Sequence, residues 1–165
     1  MEFVADPGAL RSLYESPGPM TSDELPATRL AEDHVAFIGA ATLVVVATAD
    51  PGGLTCSPRG GAPGTVALVR DDRTLWLPDQ GGRIHQTVGN LMNDPRIGLL
   101  FMAPAHERTL RVEGTARVAA DDEARAPFAL DGAGPSTVLV VDVHRVRLSG
   151  VGPLRRSGLL GDRIA

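Results

Sequence analysis

The hydrophobic residues of this chain fall mainly in short runs divided by turn-forming residues, the pattern of a strand-rich protein. TLVVVATA (42–49) is β-branched and apolar at nearly every position, which predicts a strand covered on both faces. IGLLFM (97–102) predicts a second strand of that kind. TLRVEGTARV (109–118) alternates, with Leu110 and Val112 on one face and Arg111 and Glu113 on the other. TVALV (65–69) and TLWLP (74–78) flank Arg70-Asp71-Asp72-Arg73 and predict a hairpin. TVLVVDVHRVRL (137–148) predicts the last long strand. Asp50-Pro51-Gly52-Gly53 is turn chemistry leading into a short strand at 54–57.

Helical spacing is confined to three short stretches. Ala31, Val35 and Ile38 predict a helix over 28–38 with Gly39 as its cap. Ile84, Val88, Leu91 and Met92 form one face of a helix that stops before Pro95. A third helix is expected over Asp122–Leu130, with Asp121-Asp122 at its N-cap. The strands mostly follow one another directly, which argues against parallel βαβ units. The expected fold class is therefore mainly β with small helices, an antiparallel barrel. Residues 1–27, rich in Pro and Gly, are expected to form an N-terminal arm on a single domain spanning 28–165.

Composition narrows the function. The 165 residues fit one domain, and 43% hydrophobic with 22% charged residues is the balance of a soluble globular protein. A net charge of −4 provides no basic field for nucleic acid or an anionic membrane. No apolar run approaches the roughly 20 residues that span a bilayer. The opening MEFVADPGAL lacks the basic region of a secretory signal. Cys56, the single cysteine, cannot form an internal disulfide, consistent with the expected cytoplasmic location.

Candidate chemistry begins at CSPRGGAPG (56–64), where three glycines surround Arg59 between two strands. It is not a Walker A loop, having no lysine after the last glycine, and no helix comes next as a Rossmann fingerprint requires. Bare backbone N–H groups beside an arginine can hold an anion. Taken alone, this loop is more simply read as a hairpin turn with a solvated arginine. Pro78-Asp79-Gln80-Gly81-Gly82-Arg83 is a second such loop, with Arg83 at the mouth of a helix. Arg111 stands on the polar face of a strand expected to be adjacent. Together the three arginines suit a phosphate monoester, which guanidinium matches bidentately. His34, His85, His106 and His144 are too scattered for a metal site. Ser57 lies in no nucleophile elbow. Cys56, on a strand, reads as a small core hydrophobe, and Trp76 as a core or interface residue.

The run SPRGGAPG…DDRTLWLPDQGGR…NLMNDPRIGLLF…ERTLRVEGTARV resembles the pyridoxamine 5′-phosphate oxidase-like FMN-binding split-barrel family, in its broad related branch. The likeness extends from about Leu10 to Arg156-Ser157. It implies an antiparallel split β-barrel, a homodimer, and FMN in a groove between subunits. By position, Ser57, Pro58, Arg59 and Gly60 would run beneath the flavin and reach its phosphate. Leu77, Pro78 and Asp79 would flank the ring, with Gly82 and Arg83 at the phosphate. Thr109 and Arg111 occupy positions where the oxidases write RQVRVEG, and Arg156 survives from the family's carboxyl-terminal pattern. A bound flavin carries the redox chemistry, so the protein need supply only position and electrostatics.

Departures from the pattern are informative. Gln80-Gly81-Gly82-Arg83 stands where related chains read PGNRR, and Arg145-Val146-Arg147 replaces the Arg-x-His of true oxidases. Vitamin B6 oxidation is therefore not expected. The resemblance implies a flavin-dependent oxidoreductase acting on an unknown small-molecule redox substrate. The alternatives are a non-catalytic flavin-binding or redox-sensing module, the same barrel holding a deazaflavin or haem, and an empty barrel serving as an interaction module.

Overall fold

The computed structural model describes residues 1, 3–13, 25–79, 86–104, 106–129 and 134–150. After α1 (Pro7–Ser12) and α2 (Glu32–Ala40), the hairpin β1 (Leu43–Asp50) and β2 (Gly53–Gly60) leads to β3 (Leu68–Val69) and β4 (Thr74–Asp79). Then come α3 (Gln86–Asn93), β5 (Arg96–Met102), β6 (Arg108–Ala119), α4 (Asp122–Arg125) with a 3₁₀ turn Ala126–Phe128, and β7 (Thr137–Gly150). The seven strands form one sheet in the order β2-β1-β5-β6-β7-β4-β3, antiparallel at every pairing. The mainly-β, antiparallel expectation holds. Among the described residues no helix is long and apolar enough to cross a membrane.

Residues directly opposite one another in an antiparallel ladder share a face of the sheet. Val44, Phe101, Leu110 and Leu148 form one such row, and Val46, Leu99, Val112 and Val146 the next. All eight are buried and, with Leu75, Leu77, Leu139 and Val141, they make the interior. The sheet rolls around this core, and Arg59 on the edge strand β2 reaches the end of β4. Among the described residues no ladder joins β2 to β3, so the barrel is split.

Elements differ from the sequence pattern where a polar residue took an interior place. In α2 the buried face is His34, Phe37 and Ile38, while Val35 is exposed and the C-cap is Ala41 rather than Gly39. In α3, Asn90 and Leu91 are buried and Met92 is exposed. The Asn90 amide, oriented to satisfy all its neighbours, accepts from Thr48 Oγ1 at 3.0 Å and Thr55 Oγ1 at 3.1 Å. It donates to Asp50 Oδ2 and the Gln86 carbonyl. A fully satisfied buried amide fixes α3 on the β1–β2 hairpin, which an apolar Met92 could not do. The expected strand 65–69 survives only at Leu68–Val69, because Thr65 Oγ1 donates to the Ala62 carbonyl and closes a turn. The last helix stops at Arg125 and tightens into the 3₁₀ turn, where Pro127 cannot continue an α-helix. Asp121 is its N-cap as expected, accepting from the Ala124 amide at 2.9 Å.

One glycine is dictated by close approach. The β6–β7 register shifts between Glu113 and Gly114, and β7 crosses so near that a Cβ on Gly114 would lie 2.0 Å from the Asp142 carbonyl oxygen. The bulge turns His144 and Arg145, consecutive residues, both toward solvent. Gly114→Ala is expected to cost roughly 3 kcal/mol, the scale of forced overpacking at a rigid backbone. Chemical denaturation of the two proteins measures it.

Candidate functional site

The alternation of the strands sorts the sequence-predicted site residues into two groups. Ser57 pairs with Val46, and Arg59 with Val44, so both side chains lie on the interior face. Leu77 pairs with Leu139 on that same face and is fully buried, so its side chain is core. Gly60 pairs with Leu43 and Pro58 with Val45. Across β5, Thr109 continues the Gly60 row and Arg111 the Pro58 row on the outer face. Gly82, Arg83 and Arg156 lie outside the described residues.

The interior group is a clasp. Arg59 Nη1 stands 2.9 Å from Asp79 Oδ1 and donates to the Pro78 carbonyl at 3.1 Å. The two side chains are only 19% and 16% exposed, so water screens the pair poorly. Both contacts use one nitrogen of a guanidinium that carries five donors in a fork. Ser57 Oγ stands 3.4 Å from Thr87 Oγ1 of α3, beside the clasp. Two of the three glycines after Arg59 serve the turn itself. A Cβ on Gly61 would lie 2.4 Å from Thr65 Oγ1, and Gly64 has φ +79°. Gly60 has no such need, since a Cβ there would meet the Thr42 carbonyl at an ordinary 3.6 Å.

The outer group is cationic. Arg111 is exposed, and its partner across the β6–β7 ladder is Arg147, which is half-buried. Thr109 pairs with Ser149 one step along the same face. Like charges directly opposite in a ladder repel, and an anion between two guanidinium positions removes that cost. Arg147 was legible in the sequence only as a missing histidine motif. Its place opposite Arg111 comes from the register of β7, which no local pattern reveals.

Further along this face lies an open cavity of about 560 Å³. Ala47, Ala49, Gly98 and Gly114 contribute to its lining, with Leu54 and Cys56 on the β2 side and Arg96, Glu113 and Arg145 also around it. Arg145 Nη1 donates to Glu113 Oε2 at 3.1 Å. His144 Nε2 stands 3.6 Å from Asp142 Oδ2. Arg96 Nε donates to both carboxylate oxygens of Asp94, at 2.9 and 3.0 Å. Trp76, expected in a core or interface, is half-buried with the Arg70 guanidinium 4.4 Å from its ring centroid. Among the described residues no group of three His, Cys, Asp or Glu could hold a metal ion.

The side-chain hydrogen bonds from Arg96, and then its backbone N–H, pull the Asp94 carboxyl from 3.8 down to about 2. A folded-state value below the unfolded one means that this contact stabilises the protein above about pH 3.8 and is lost as pH falls through about 2. In an NMR titration, Arg96→Gln should move the Asp94 carboxyl back up toward the ordinary carboxylate range but leave it below, because the backbone N–H at position 96 still donates to it.

The model of the family described as pyridoxamine 5′-phosphate oxidase matches residues 30–150. Among solved structures, HupZ of Group A Streptococcus is 21% identical with a TM-score of 0.61, covering 74% of this chain and 97% of its own. A Lactobacillus delbrueckii protein named for pyridoxamine 5′-phosphate oxidase is 20% identical with a TM-score of 0.56, covering 72% and 93%. A Clostridium acetobutylicum protein related to general stress protein 26 is 16% identical with a TM-score of 0.54, covering 70% and 84%. No curated protein matches. The likeness to the solved structures concerns the fold, while the family match takes in β1 to β7 and both groups of site residues; the chain belongs to the pyridoxamine 5′-phosphate oxidase family.

Proposed function

We propose that this protein binds FMN between two copies of the chain and serves as a flavin-dependent oxidoreductase of a small molecule. The observation that carries the reading is the outer-face pair of arginine positions, Arg111 opposite Arg147, one row from Thr109 and Ser149, in a chain of this family. A phosphate is the ligand group whose charge and oxygen geometry suit such a pair.

The division of the residues between two sheet faces favours an interface site. Within one protomer, Ser57 and Arg59 face inward while Thr109 and Arg111 face out. A groove between copies lets one protomer contribute the Gly60 end of β2 and the other its outer face. In this reading Arg59 and Asp79 hold the end of β2 against β4, so that the backbone at Pro58 and Gly60 is fixed where the ligand approaches. Thr109 and Ser149 offer hydroxyls to the polar edge of a planar ring. Apolar side chains of β1 and β5 cover its faces and exclude water. The flavin supplies hydride and electron transfer. The chain's own groups bind and orient it, and no side chain is assigned a proton-transfer role.

Freshly purified protein should be yellow with the visible bands of flavin. A Soret band would replace flavin by haem, and a colourless protein whose melting is unmoved by FMN would leave an interaction module. Reduction of the bound flavin by NAD(P)H with turnover to an acceptor separates an oxidoreductase from a flavin-holding module. Arg111→Ala should raise the FMN dissociation constant roughly tenfold to a hundredfold, the loss of a charge-assisted contact. Unchanged affinity in a fluorescence titration would remove Arg111 from the site.

A further inference from the structure

β1 and β5 are apolar on both faces, yet one protomer covers only one of them. Leu43, Val45 and Ala47 of β1, with Gly98, Leu100 and Met102 of β5, are half-buried on the outer face. In the middle of this face the side chains shrink. Ala47 has Cys56 on one side and Gly98 on the other, and Ala49 has Leu54 beside it. These positions belong to the cavity of about 560 Å³. At its edge Leu54 is 86% exposed, the one large apolar residue so exposed among the described strands.

We propose that a second copy of the chain seats its Leu54 in this trough, while the first copy's Leu54 enters the trough of the second. The proposal rests on the dimer reading above and names the contact that registers the two copies. A knob and a hollow side by side on one face are what a two-fold axis requires, since each copy must present both halves of the contact. The rim carries Arg96, Arg145 and Glu113, and Asp94 stands against Arg96, so the rim charges cancel in pairs and facing copies meet without net like-charge repulsion. The rim cations are already engaged, Arg96 by Asp94 and Arg145 by Glu113. The trough therefore offers shape and aliphatic surface more than directed hydrogen bonds, which suits a leucine better than a polar small molecule. Covering it also completes the burial that the two-faced apolar pattern of β1 and β5 calls for.

Sedimentation of the full chain, with maleimide labelling of Cys56, tests the proposal. Cys56 is the single cysteine; its register opposite Ala47 puts it on the outer face, so it is exposed in the protomer rather than in the core as the sequence suggests, and it lines the trough. Wild type should sediment as a dimer with Cys56 protected. Leu54→Asp should raise the dimer dissociation constant roughly a hundredfold or more, because the symmetric contact is lost twice, and should open Cys56 to labelling. Gly98→Val should do the same by filling the hollow. A Cβ at that position meets only the Ala47 Cβ at an ordinary 3.6 Å, so the backbone admits a side chain there, and circular dichroism checks that the γ-carbons of valine leave the protomer folded. Leu54→Ala combined with Gly98→Val should regain part of the affinity lost by Gly98→Val alone. A wild-type dimer that both single variants leave intact, with Cys56 still labelled, overturns the proposal and leaves the dimer reading standing. A wild-type monomer overturns both. A monomer whose Cys56 is protected by a retained small molecule overturns it in favour of a ligand site.

Discussion

The two-residue period of a β-ladder is the constraint on which this molecule turns. Because opposite residues share a face, choosing Val44, Phe101 and Leu110 as core fixes the side of every other residue on those strands. Arg59 joins the core row and Arg111 the outer row, and the strands that carry them, β2 and β6, are not adjacent as the sequence suggests but separated by β1 and β5. Shifting either strand by one residue would exchange them, and with them the apolar set that holds the sheet together. The positions of the candidate ligand groups are thus set by hydrophobic burial, the larger energy, and not by the polar contacts they make.

Arg59 bears the cost of being placed this way. A side chain pointing inward from an edge strand must find partners for its charge, because a buried unpaired guanidinium is strongly destabilising. Asp79 and the Pro78 carbonyl are at the end of β4, where the rolled sheet brings them within reach. The clasp therefore performs part of the closure that a β2–β3 ladder would otherwise supply. Any phosphate approaching Arg59 competes with Asp79 for the guanidinium, whereas Arg111 lies on an exposed face beside a second arginine position. The proposed anion recognition accordingly rests on the β6–β7 ladder rather than on the glycine loop.

Much of this was legible in the chain and some was not, for definite reasons. Alternation and turn residues disclosed β1, β2, β4, β5, β6 and β7 to within a few residues, because those strands obey periods that burial imposes. The α2 face was misjudged at Val35, and the α3 face at Met92, where His34 and Asn90 occupy interior places that hydropathy assigns to apolar side chains. Asn90 is buried because Thr48, Thr55 and Asp50 are brought to it from the hairpin, a contact far along the chain that no local window contains. The glycines at 61 and 64 resembled a ligand cradle, and the Thr65 hydroxyl and a positive φ account for them as turn residues. The pairing of Arg111 with Arg147 depends on where β7 bulges, which is visible only once Gly114 is seen to lie against Asp142.

The two-faced apolar pattern of β1 and β5 has a consequence for assembly. A single protomer leaves Val45, Leu100 and Met102 half-buried, an arrangement that wastes apolar side chains unless another surface meets them. The same outer face carries Thr109, Arg111 and the aliphatic trough, so a ligand held there and a second copy docked there are not independent events. Covering the face removes water from around the guanidinium groups, and that strengthens their attraction for an anion. An anion placed between Arg111 and Arg147 in turn lowers the charge that the second copy must bury. If the proposed ligand and partner both bind this face, each reduces what the other must overcome, and such mutual dependence would make binding and assembly two readouts of one equilibrium.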